Sequence, residues 1–178
     1  MKSHDFDDCL RASDTPELNA KIVAELERQF PNASGVERAH NFDDRLGADY
    51  LIRMPYARTL TADVKVRARD YAAIGQPDIL LEIWADVDKA KPGWALDETK
   101  LTDYVLFYWR DTGRTALFDA HALRAVFKAN LPIWKRQYGS KVTGTGSRKP
   151  FRTEFLCMPD ADLASAIYRH QRNARRAA

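Results

Sequence analysis

Polar and apolar residues alternate one by one between positions 59 and 69. Thr59, Thr61, Asp63, Lys65, Arg67 and Arg69 fall on one face, and Leu60, Ala62, Val64, Val66 and Ala68 on the other. The pattern predicts a strand over 60–71 with a charged row along one side. Upstream, Gly47-Ala48-Asp49-Tyr50-Leu51-Ile52 predicts a strand over 49–54 that Pro55 stops. Leu18, Ile22, Val23, Leu26 and Phe30 recur at helical spacing, with Asp14 or Thr15 as N-cap, Pro16 in the first turn and Pro31 after the end. A short strand is expected at 36–39 and a deeply buried one at 78–84. The apolar run 104–109 turns through Asp111-Thr112-Gly113-Arg114 into 115–118 as a hairpin. Asp119 caps a helix carrying Leu123, Val126 and Phe127, which continues or restarts after Pro132 with Trp134 and Tyr138. Residues 139–150, rich in Gly, Ser and Thr, read as a flexible loop. A last strand at 153–158 and a helix starting at Pro159-Asp160 close the chain.

These elements describe an α/β sandwich with helices flanking a mixed, mostly antiparallel central sheet. No repeat and no linker divides the 178 residues. The expectation is one domain over 1–178, with a core at about 14–138 and an appended basic loop, strand and helix at 139–178.

Composition changes this picture in two ways. A hydrophobic content of 45% supports a folded core. The net charge of +3 is unevenly spread: ten Lys/Arg face three Asp/Glu from Lys135 onward, against eighteen and twenty-two before it. Such a basic C-terminal part is compatible with nucleic acid, and equally with a solvated helix end. Cys9 and Cys157 stand alone, which argues against a zinc site or a disulfide framework. The polar, acidic start is unlike a signal peptide, and no apolar run has the length of a membrane span, so a cytoplasmic location is expected.

The alternation puts Asp63 and Lys65 side by side, and pairing of the two strands brings Asp49 near them. Two carboxylates and an ammonium group on a sheet suit Mg²⁺ binding and phosphodiester hydrolysis. More modest readings stay open. Asp49 serves equally as a turn residue after Gly47, and Asp63 and Lys65 as a surface ladder pair. Glu82, inside an apolar strand, faces either this site or an arginine or sheet edge.

A helix, then Gly-x-Asp-hydrophobic opening a strand, then Asp-x-Lys on the next strand resembles the PD-(D/E)XK nuclease superfamily. The nearest likeness is to archaeal-type Holliday-junction resolvases and small phage nucleases. It covers roughly residues 15 to 85, with Ala48 in the place of the motif's proline. The resemblance implies a restriction-endonuclease-like fold and a metal-dependent endonuclease acting on DNA with Mg²⁺ or Mn²⁺, often as a homodimer. It implies catalytic roles for Asp49, Asp63 and Lys65. Asp49, Asp63 and the Val64 carbonyl would hold metal, with Asn19 as a further ligand through its amide oxygen, since it stands where family members carry an acid on the first helix. Arg67, Arg69, Lys141, Arg148, Lys149 and Arg152 are the candidate DNA-backbone contacts.

The histidines are far apart and lack ligand spacing. The serines have no His partner for nucleophilic catalysis. Gly144-Thr145-Gly146-Ser147-Arg148-Lys149 lacks the spacing of a nucleotide-binding P-loop. Trp84, Tyr104, Phe107, Tyr108, Trp109 and Trp134 are expected in the core, and the Pro-Gly loop of Trp94 marks it for surface contact. With Asn19 in the acidic position, a rival reading is a catalytically inactive nuclease-fold module that binds nucleic acid or a protein. A third is an α/β interaction protein with no nucleic-acid role.

Overall fold

Thr15 starts the first helix by accepting a hydrogen bond from the Leu18 N–H at 3.3 Å, and Pro16 takes a position where the missing N–H costs nothing. Helix α1 (Pro16–Gln29) buries Leu18, Ile22 and Leu26. The chain is seen as a computed structural model that describes residues 15–39, 47–144 and 151–177. The strands that follow α1 are β1 (Gly35–Arg38), β2 (Tyr50–Arg53), β3 (Thr59–Arg67), β4 (Ile79–Asp86), β5 (Lys91–Pro92), β6 (Tyr104–Trp109) and β7 (Thr115–Asp119). Helix α2 (Ala120–Tyr138), strands β8 (Lys141–Thr143) and β9 (Thr153–Met158), and helix α3 (Asp160–Ala177) complete the described chain.

The architecture is α/β, with two sheets rather than the single sheet expected from sequence. A mixed sheet of five strands runs β1-β2-β3-β6-β7, antiparallel except for the parallel β3–β6 pair. Strand β4 does not join it. It pairs with β9 in a second sheet of order β5-β4-β9-β8. Residues 153–158 are therefore a central strand of that sheet and not an appendage, and part of the expected 139–150 loop is the edge strand β8. Helix α2 runs unbroken past Pro132.

The five-stranded sheet is covered on both sides. Helix α1 packs Leu18, Ile22 and Leu26 on Tyr50, Ile52, Leu60, Ala62, Leu106 and Tyr108. The opposite face presents Val105, Phe107 and Trp109 to β4, β9, α2 and α3. Strand β6 is thus apolar on both faces, as a central strand with a parallel neighbour must be. Among the described residues no helix is long and apolar enough to cross a membrane.

Candidate active site

Asp63 and Lys65 lie on the β3 face away from α1, because their neighbours Ala62 and Val64 turn toward it. Their expected solvent-facing row is buried at one end: Asp63 is 8% exposed. Lys65 Nζ sits 2.7 Å from Asp63 Oδ2 and 4.9 Å from the centre of the Trp94 ring. The ring gives the ammonium a favourable electrostatic seat while excluding water.

Asp49 stands one residue before β2 begins. Its N–H donates to the Ala62 carbonyl, and its Oδ2 accepts the Val64 N–H at 2.7 Å. The carboxylate therefore takes the ladder position that β2 would have filled beside Val64. The Val64 carbonyl projects from the same strand edge as its N–H. Gly47 makes this entry possible. Its φ of +90° suits glycine, and a Cβ there would stand 2.8 Å from Lys100 Cδ. The Thr102 hydroxyl fastens the Gly47 carbonyl from the other side.

The two carboxylates come together. Asp49 and Asp63 are close enough to share a proton, and burial followed by the Asp63 charge pushes the Asp49 carboxyl up to about 6. The Val64 N–H and Lys65 oppose that rise without cancelling it. A buried acid, Asp63, and a half-buried one, Asp49, make a cradle for a cation, since a divalent ion would take the place of a shared proton and neutralise both charges. Among the described residues no group of three His, Cys, Asp or Glu side chains is placed to hold a metal. Two carboxylates and a carbonyl still match the chemistry of Mg²⁺, which keeps several of its waters.

Comparison with protein-family models, curated proteins and solved structures gives no match. The reading of the site therefore rests on its own geometry.

The remaining candidates divide. Asn19 is on the α1 side of the sheet, where its Oδ1 accepts from the Tyr50 hydroxyl and Arg38 Nη1, both at 2.8 Å. The sheet stands between it and the acid pair, so it does not join Asp49 and Asp63 as the expected further ligand. Arg67 follows Lys65 on the same face but is half-buried against the Phe107 ring, and its Nε has no hydrogen-bond partner among the described residues. Burial holds its guanidinium below the usual range, against the pull of Cys157 and Glu82. Arg69 is exposed and stacks on Tyr71. Lys141 is exposed on β8. Arg152 is exposed but paired with Asp88. Arg148 and Lys149 lie outside the described residues.

Sequence reasoning missed two contributors, Trp94 and Arg124. Trp94 is half-buried beneath Lys65. Glu82 holds it there by accepting its backbone N–H at 3.2 Å. Gly93 permits the close approach, since a Cβ would run into the Glu82 carbonyl. Arg124 Nε points at the Trp94 carbonyl, and Nη1 at the Lys100 carbonyl. Its burial lowers the guanidinium, while Asp63 and Asp97 act to raise it. The signal for Arg124 was its place on α2 four residues after Ala120 and three before Phe127, both on the buried stripe.

Proposed function

We propose that the chain is a metal-dependent endonuclease-like protein that hydrolyses phosphodiesters in DNA, related in fold to the PD-(D/E)XK nucleases. The observation that carries this reading is the contact between the Asp49 and Asp63 carboxylates, with Lys65 ion-paired to Asp63. Asp49, Asp63 and the Val64 carbonyl are the groups that would hold Mg²⁺ or Mn²⁺. When bound, such an ion stabilises the charge that builds on the phosphate oxygens and acidifies a bound water. Lys65 brings positive charge and N–H donors to the same place, and its ion pair and the Trp94 ring fix its position before substrate arrives. Arg69 and Lys141 offer exposed charge for the strand backbone.

Incubation with branched, single-stranded and duplex DNA in Mg²⁺ or Mn²⁺ tests this, with Asp63→Asn beside the wild type. Cleavage by the wild type alone is the expected result. Equal cleavage by both, or none by either, sinks the assignment. The second reading, a binding module without catalysis, draws on the two-acid site and on Asn19 being engaged elsewhere. It predicts salt-sensitive DNA binding, or a protein complex, with no turnover. Gel filtration and light scattering would decide whether the chain works as a homodimer.

A further inference from the structure

Behind Trp94, the segment that carries it forms one wall of a cavity of about 260 Å³. Leu96, Leu101 and Ala125 give it an apolar side, and Lys100, Arg124 and Lys128 give it cationic groups. Glu98 at the rim is paired with Lys128 at 2.5 Å, and exposed His121 completes the opening. The hydrogen bonds of Arg124 go to two backbone carbonyls at 3.3 and 3.5 Å, long contacts to neutral acceptors, and among the described residues no carboxylate hydrogen-bonds it, although Asp63 and Asp97 act on its charge from nearby. Leu101 is 61% exposed at the mouth, so an apolar surface stands ready beside a half-buried cation. Its volume falls just below that of small-molecule sites, roughly 300–1,000 Å³. A cavity of this volume is suited to a small unit such as a single nucleotide rather than to several stacked bases.

Arg124 also ties this cavity to the acid pair. It reaches the carbonyl of the residue whose ring seats Lys65, and it lies within the field of Asp63. We infer that the cavity takes one unpaired nucleotide of the DNA strand, its phosphate on Arg124 and its apolar side on Leu96, Leu101 and Ala125, next to the phosphodiester held at Asp49 and Asp63. The inference rests on the nuclease reading and narrows it. A base in this cavity has left its stack, so the substrates are single strands, branches or flaps rather than continuous duplex.

Calorimetry in EDTA at low salt tests the cavity without any cleavage, using the full chain with thymidine 5′-monophosphate, thymidine and inorganic phosphate. The monophosphate binds most tightly, and loss of the charged contact in thymidine or in Arg124→Gln weakens binding about tenfold or more. Ala125→Trp, at an exposed helical position, fills the cavity and removes nucleotide binding without lowering Tm. Asp63→Asn retains it. Binding of phosphate as tight as the nucleotide, unchanged binding to Ala125→Trp, or no binding by folded wild type at millimolar concentrations would each overturn the inference. Cleavage without nucleotide binding refutes the cavity alone. Nucleotide binding without cleavage refutes the nuclease reading and with it the placement beside a scissile phosphate. In cleavage itself, Ala125→Trp should slow turnover of single-stranded DNA about tenfold or more, and equal turnover would count against the cavity.

Discussion

Replacing Asp49 with Asn should stabilise the metal-free protein, and only above a definite pH. The carboxyl is raised from 3.8 to about 6 by burial and by Asp63. Between those values the folded chain holds a proton that the unfolded chain has released, so wild-type stability falls as pH rises through the window. Above it the whole cost is present. A rise of roughly two units at about 1.36 kcal/mol each corresponds to about 3 kcal/mol. Asn keeps an oxygen for the Val64 N–H and can donate its amide to Asp63, while removing the charge. Urea unfolding in EDTA, followed by tryptophan fluorescence from pH 4 to 8, measures the difference. The variant and wild type should match near pH 4. Above pH 6.5 the variant should gain up to about 3 kcal/mol, or roughly 6–12 °C in Tm for a chain of this size. A gap that does not change with pH, or a wild type more stable at pH 8, refutes the reasoning. Added Mg²⁺ should raise the stability of the wild type and leave Asp49→Asn little changed.

Two further substitutions probe what positions the site. Arg114 lies 3.5 Å from the centre of the Trp109 ring and binds Asp70, Asp78 and Asp160 at once, joining the β7 turn to the entry of β4 and the start of α3. Arg114→Met strands three carboxylates, one of them fully buried, and should cost about 3 kcal/mol in urea unfolding at pH 7; a loss under about 1 kcal/mol contradicts this role. The Arg114 bond holds the Asp70 carboxyl below its ordinary value, so this cost should shrink as pH falls below about 4. Gly93→Ala drives a Cβ into the Glu82 carbonyl and should cost about 2 kcal/mol, within the range for overpacking. It should also redden the fluorescence assigned to Trp94 by difference from Trp94→Phe. A wild-type spectrum and stability would show that the loop has room to spare.

The parts of the site that were legible in the sequence are those set by local rules. A period of two puts Asp63 and Lys65 on one face whatever surrounds them, and Gly47 before Asp49 marks a backbone that only glycine enters easily. Caps are equally local: Thr15 and Asp119 both accept from their own first turns. What stayed hidden depends on pairing between distant segments. Nothing near Ile79 announces that its partner is Met158, so β4 read as one more strand of a single sheet. Alternation names a face without saying what covers it, and Arg67, on the same face as Lys65, is packed on Phe107 rather than open to DNA. Asn19 illustrates the same gap, since the helical stripe identifies an inward side but not the side of the sheet on which α1 docks.

The long reach from β4 to β9 has a consequence for how the chain comes to be folded. As it leaves the ribosome, the apolar segment from Ile79 to Asp86 emerges long before Met158. At about 5–20 residues per second, the wait lasts roughly 4–16 s. During it, β1, β2, β3, β6 and β7 can assemble around α1, while β4 has only the two-residue β5 for company. A nascent chain held at this point would display an unpaired, sticky strand beside an otherwise finished sheet. Closing the second sheet is then a late and non-local step, of the kind that slows folding and calls for chaperone protection.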